Sequence, residues 1–455
     1  MSLLIEDATV PAPPNLPLAP TAYESRYHEQ FNNVLRLYFN RLDAILRRIV
    51  ATTSPIPISI GGTNVDAFGR LRVSQPYTLF DSQNRYAADN QFDVSTTGTG
   101  TTTFLSNEAA IKMEVTGAGV GSVLRQTYRS FPYQPGKGLL VLATFVMDSN
   151  MSLNLTQRVG YYNDSNGVFF QRIDGTYSFV LRSSVTGTPS DVRTVNQADW
   201  NGDKLNGSGA SGYTLDPSKA QILWMDFEWL GVGSVRCGFI IDGQYIVCHT
   251  FNNANEITNV YMTTAILPVR YEIKTVSSAV AASMKAICCS VISEGGFEQT
   301  SIDHVARRTT VLGTIGTTFL PVVSIRLASG RTGAVVLPNR VQVLPTTNQN
   351  YEVALFKNPT LTGASWSAVP SDSNVEFDVA ATATTGGTIV QTNFVTASGS
   401  AGVSETSLPS DYNFDLQLGA SIAGVSDIYT VAVRTVSGAT TGDVVGSLSF
   451  YDLTQ

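Results

Sequence analysis

Between residues 21 and 50 the apolar positions recur in steps of three and four: Tyr27, Phe31, Val34, Tyr38, Leu42, Ile45 and Ile49. That spacing lays a single stripe along a helix. Thr21 followed by Glu24 fits a capping box, and Arg47 and Arg48 suit the negative end of the helix dipole. A helix over this span would be about 44 Å long. The mean step of about 3.7 lies near an eleven-residue repeat and points to a nearly straight bundle. One apolar stripe needs a surface to cover it. The seven residues are therefore candidate contacts for oligomerisation or attachment, with packing on the chain's own domain as the alternative.

From residue 55 onward the pattern switches to period two. "LLVLATFVMD", "GVFFQRIDGTYSFVLR" and "SVRCGFIIDGQYIVC" alternate as strands do, punctuated by Gly, Asn and Asp. "NDSNG" at 163–167 and the Asp-Gly pairs at 174–175 and 242–243 mark hairpin turns, because Asp and Gly tolerate the left-handed backbone those turns require. Strand following strand predicts a mainly β chain: an extended arm and one long helix, then two β-sandwiches of lectin-like or jelly-roll-like kind. A glycine- and charge-rich run over 293–316 reads as a linker and places a boundary near residue 300. The expected parts are an arm (1–20), the helix (21–50), a first sandwich (51–300) and a second, smaller one (301–455) ending in an edge hairpin. No repeat of 20–50 residues points to a propeller or solenoid.

Composition adjusts this picture at three points. "VPAPPNLPLAP" at 10–20 is dense in proline and favours an extended arm that is ordered only against another surface. Charged residues make up 14% of the 455, and the net charge is −7 with no basic run, which speaks against a nucleic-acid partner. There is no stretch of about 18 uninterrupted apolar residues, so no membrane insertion is expected. The opening residues lack a positive n-region and apolar core of the signal-peptide kind.

Candidate chemistry concentrates in "WMDFEWLGVGSVRCGFIIDGQYIVCHTF", residues 224–251. Counting outward from Asp242-Gly243 sets Cys237 opposite Cys248, on a hydrogen-bonded pair whose wide spacing suits a disulfide poorly. Both read as reduced packing residues. Asp226 and Glu228 share one strand face while Met225, Phe227 and Trp229 take the other, as on any half-solvated strand. His249 reads as partly exposed. Cys288 and Cys289 are adjacent and point to opposite faces, so they cannot share a metal. Asp199, Asn201 and Asp203 follow the opening of a calcium loop, but Lys204 stands where glycine is expected and Ala210 where the bidentate glutamate belongs. An Asn/Gly-rich turn is the preferred reading there. The three histidines fall apart: His28 in the helix, His249 in a strand, His304 in the linker. No catalytic, cofactor or metal residue is expected.

Several runs carry a resemblance. "NLPLAPTAYESRYHEQFNNVLRLYFNRLDAIL" (15–46), "DAFGRLRVSQPYTLFDSQNR" (66–85), and the span from "VGYYNDSNGVFF" through "DFEWLGVGSVRCGFIIDG" to "NEITNVYMTTAILPVRYEI" resemble structural, fibre-like proteins of tailed phages, marine and cyanobacterial ones in particular. The C-terminal 150 or so residues resemble them only loosely. The resemblance carries over no catalytic residue. It implies a place, the virion, with synthesis in the host cytoplasm and other virion proteins as partners. A fibre or spike is expected, trimeric and anchored by residues 1–50, with adsorption to a host-surface glycan. A capsid-decorating or minor capsid protein is the alternative, and a tailspike depolymerase using Asp226 and Glu228 is the second.

Overall fold

The computed structural model describes residues 16, 25–53, 75–149, 154–277, 281–298, 301, 303–369, 373–396, 404–407, 414–436, 438 and 441–454, with helix side chains described through residue 44. Met1–Val73 and Ser74–Gln455 are two compact units. Except for Leu16, the expected Pro-rich arm lies outside the described residues, as do Thr21 and Glu24 of the expected cap.

In the first unit one helix runs Ser25–Thr53, 29 residues. It continues beyond the expected end at residue 50, so Arg47 and Arg48 do not occupy its last turn. The physical stop is Pro55, which disfavours helical geometry in the residue before it. Thr53 is as far as the helix can comfortably go.

The second unit is built of antiparallel sheets. One eight-stranded sheet has the order Gln244–Phe251, Val235–Ile241, Gln221–Phe227, Leu139–Val146, Ala282–Ser293, Ala110–Val115, Gly100–Leu105, with Tyr77–Gln83 also pairing on Ala282–Ser293. A seven-stranded sheet faces it, in the order Ser190–Asn196, Thr176–Ser183, Gly167–Ile173, Leu155–Tyr162, Val269–Thr275, Gly121–Thr127, Phe92–Gly98. Their inner faces interlock through rings: Phe170 stands 5.2 Å from Phe239, and Tyr161 stands 5.2 Å from Phe227. The Asp-Gly turns form as the sequence requires, with φ of 50° and 79° at Asp174 and Gly175 and 50° and 77° at Asp242 and Gly243.

Strands after Ser293 belong to different sheets. A four-stranded sheet orders Asp303–Ile315, Gly442–Asp452, Val336–Pro345 and Ser404–Ser407. Opposite it a six-stranded sheet orders Ser367–Ala368, Val375–Asp378, Leu320–Leu327, Ile428–Thr435, Asn350–Lys357 and Thr388–Thr396. Two expectations fail here. The run read as a linker holds the 13-residue strand Asp303–Ile315, so His304 sits in the second sandwich with its ring 5.6 Å from Phe450. The last two strands form no edge hairpin either. Ile428–Thr435 and Gly442–Asp452 lie inside different sheets, because each presents a face of buried Val, Tyr, Leu or Phe to the core between them.

A strap of chain from Phe414 to Asp427 joins the two sandwiches. Phe414 packs 5.0 Å from Phe297, and Gln417 Nε2 donates to Ser130 O at 2.7 Å. The Ala420 N–H donates to Tyr128 O at 2.8 Å, and that of Ile422 to Asp93 Oδ2 at 2.7 Å. Gly419 is required for this approach, since a Cβ there would stand 2.8 Å from Tyr128 O. Val335, Leu337 and Phe414 accordingly join the apolar core of the first sandwich.

Candidate functional sites

Tyr27, Phe31, Val34, Tyr38 and Leu42 are half-buried and none is buried; Tyr27 and Phe31 stack at 6.1 Å. Ile45 and Ile49 lie on the same helix, with side chains outside the described residues. Leu37 and Phe39, which the stripe did not include, are 54% and 58% exposed.

The hairpin of residues 235–251 departs from the simple count. Ile241 faces Gln244 and the pairing runs in step to Gly238 and Val247, but Cys237 then faces His249. Cys248 is the extra residue of a β-bulge, so the two cysteines are not opposite one another. The cause is local. A Cβ on Gly238 would stand 1.9 Å from Ile246 O, so only glycine fits, and glycine inside a strand often marks a bulge. The loop before it reinforces the shift: the N–H groups of Gly202 and Asp203 donate to Cys248 O and Val247 O, each at 2.9 Å. Cys237 and Cys248 are free, fully buried thiols. Burial pushes the Cys248 thiol up to about 12 and also raises Cys237, so neither offers a thiolate.

His249 is not partly exposed: it is buried at 7% exposure. Asn201 N–H donates to its Nδ1 at 3.4 Å, and burial, aided by Arg193, lowers its pKa to about 4. It is a neutral acceptor that pins the 199–203 turn. Two other members of that turn, Asn201 and Asp203, are also engaged, while Asp199 is exposed. Asn201 exchanges two hydrogen bonds with the Thr250 backbone, at 2.8 and 2.9 Å. Asp203 accepts from Leu205 N at 2.8 Å and Ser211 N at 2.7 Å. Among the described residues no group of three or more His, Cys, Asp or Glu is arranged to hold a metal ion.

Asp226 is ion-paired with Arg236, while Glu228 lies past the strand end and accepts from the Ser234 hydroxyl at 3.3 Å. The structure brings a different carboxylate to Asp226. A Cβ on Gly138 would meet Glu294 Oε2 at 3.1 Å and Asp226 Oδ1 at 3.7 Å. Burial, and then the Asp226 charge, raise the Glu294 carboxyl. Glu294 lies far along the chain, and no local spacing signals this approach. Cys289 is buried in the first core while Cys288 is half-buried, as expected for neighbours on opposite faces.

Where the strap crosses, a cleft of about 730 Å³ opens between the sandwiches. One wall carries Asn90, Gln91, Tyr128 and Arg129; the other carries Lys357, Asn358, Thr388 and Asp427, with Asp415 on the strap. Asn358 holds φ at 55°, donates through Nδ2 to Asp427 Oδ1 at 2.7 Å and accepts from Ile428 N at 2.8 Å. Arg129 donates to Phe414 O and Gln91 Oε1, and its guanidinium stands 3.8 Å from the Asp415 carboxylate. Burial lowers the Arg129 pKa, an effect that Asp415 opposes. Lys357 Nζ lies 3.4 Å from Asp427 Oδ2. Nothing in the sequence marked these residues, since they come from five separate segments.

Neither a family model nor a curated protein sequence matches the chain. Similar solved structures include the carbohydrate recognition domain of Emp47p, with a TM-score of 0.31 and 9% identity over 49% of this chain and 98% of that one. Peanut lectin with a 9mer peptide gives 0.30 and 11% over 48% and 98%. A conserved carbohydrate esterase from Shiga toxin-encoding bacteriophage phi24B gives 0.29 and 9% over 48% and 99%. Among the described residues no helix is long and apolar enough to cross a membrane.

Proposed function

We propose that this chain is a structural protein of a bacteriophage virion. In this reading it is a fibre or spike that assembles through its N-terminal helix and uses its β-sandwiches for adsorption to a host-surface glycan. The observation that supports it is the helix stripe: a 29-residue helix whose described apolar positions are all less than buried. A seam of one apolar residue per turn, repeating without interruption, suits other copies of the same helix, which carry the identical seam. A trimer of such helices would cover every stripe at once. The resemblance of residues 15–46 and 66–85 to tailed-phage structural proteins points the same way.

Analytical ultracentrifugation of the full chain tests the assembly. The unaltered protein is expected to sediment as a trimer, and Phe31→Asp combined with Tyr38→Asp to sediment as a monomer with its cooperative unfolding intact. A monomeric unaltered protein would remove the helix from this role. Imaging of particles with a labelled chain tests the location and separates a fibre from a capsid decoration.

A further inference from the structure

We infer that the cleft between the two sandwiches is a carbohydrate-binding site and that its ligand is a neutral oligosaccharide. This rests on the adsorption reading above and adds to it a place and a ligand class.

The cleft has the size and position of a ligand site. Its volume of about 730 Å³ falls within the range of roughly 300–1,000 Å³ usual for small-ligand pockets, which favour the seams between folded parts. Its lining has the chemistry that sugars need. Hydroxyl-rich ligands are bound by amides, carboxylates and backbone groups held in fixed directions, beside an aromatic face for the C–H side of the ring. Asn90, Gln91 and Thr388 supply polar groups, and the half-buried Tyr128 ring supplies the face. The scaffold is set in advance. Arg129 holds the Gln91 oxygen, and Asp93 and the strap hold Tyr128 by its hydroxyl and its carbonyl. Gly387, on the rim, has φ at 74°, and a Cβ there would stand 2.8 Å from Pro359, so the approach of Thr388 depends on glycine.

Charge decides the ligand class. The cleft contains two cations and two carboxylates, and each cation has an acidic partner: Lys357 with Asp427 and Arg129 with Asp415. An acidic sugar would have to displace one of these carboxylates and would leave it beside a second negative charge. A neutral ligand disturbs neither pair. Next to this balanced set, the Tyr429 hydroxyl is buried without a hydrogen-bond partner. Its ring belongs to the core of the second sandwich, with the Lys357 ammonium 6.0 Å from the ring centre.

Titration calorimetry on the full chain tests this, using neutral hexose tetrasaccharides and uronic-acid tetrasaccharides as probes. The neutral panel should contain a binder. Tyr128→Ala and, separately, Thr388→Arg should each weaken that binder by about tenfold or more while the melting temperature holds. Thr388 is exposed, so its substitution blocks the cleft without touching a core. Neutral binding unchanged in both variants would overturn the cleft as the site while leaving adsorption standing. Binding of uronic-acid probes alone would overturn the ligand class. Binding of neither panel, together with no adsorption of the protein to host cells, would overturn the adsorption reading itself.

Discussion

The two sandwiches solve the same packing problem with different materials. The core of the first is aromatic: Phe145, Phe170, Phe179, Phe239, Tyr161, Tyr271 and Trp200 are all nearly or fully buried in it. The second is mostly aliphatic, with Val323, Ile325, Leu355, Val431, Val433 and Leu448 in its centre and Tyr351 and Tyr429 among its larger members. Large rings supply much of the contact between the first pair of sheets. The second core instead relies on smaller side chains along densely β-branched strands. The strap then ties the two sandwiches together by lending Phe414 to the aromatic core.

The largest effect is expected where rings meet rings. Phe170 touches Phe145, Tyr177, Phe179 and Phe239, with centroids 5.2 to 5.9 Å away. Phe170→Ala should cost about 3–5 kcal/mol, read from chemical denaturation. An effect below that of an aliphatic truncation in the second sandwich would break the contrast. Next comes the strap. Phe414→Ala removes a ring packed on Phe297 and Tyr77 and should cost about 3 kcal/mol. Its sharper readout is cooperativity: one unfolding transition in the parent should broaden or split if the strap couples the sandwiches. A smaller loss, about 2 kcal/mol, is expected for Val431→Ala, which deletes two methyls from the fully buried centre of the aliphatic core.

These three positions were unequally legible in the sequence. The β-branched and aromatic runs around Phe170 and Val431 are visible in their own strands, and the Asp-Gly turns announce themselves because their geometry is local. The bulge at Cys248 had a signal, Gly238, but its position also depends on the amides of Gly202 and Asp203 reaching across from another loop. The strap and the cleft had none. Arg129 and Phe414 are 285 positions apart, and nothing near either residue encodes the meeting. The helix was legible in kind but not in its limits. Its apolar steps are periodic, whereas its end is set by Pro55 and not by the arginines.

The smallest effect separates the sandwiches by pH. His249 belongs to the first and is buried as a neutral acceptor, its pKa lowered from an ordinary 6.5 to about 4. The unfolded chain therefore takes up a proton between pH 6.5 and 4 that the folded chain refuses. Stability from this group is complete above pH 6.5 and is lost as pH falls toward 4. Asn201 N–H loses its acceptor when the ring charges, so the 199–203 turn should loosen first, and Arg193 adds to the repulsion. The protection factors of the Asn201 and Gly202 amides, taken relative to intrinsic exchange at each pH, should fall across that range while amides of Ile428–Thr435 hold theirs. His249→Gln keeps an acceptor that does not titrate, and it should flatten the dependence. If protection in the turn is equally pH-sensitive in the variant, the histidine is not its cause. The acid response would then come from carboxylates such as Asp203, which is held below its usual pKa by the amides of the same turn.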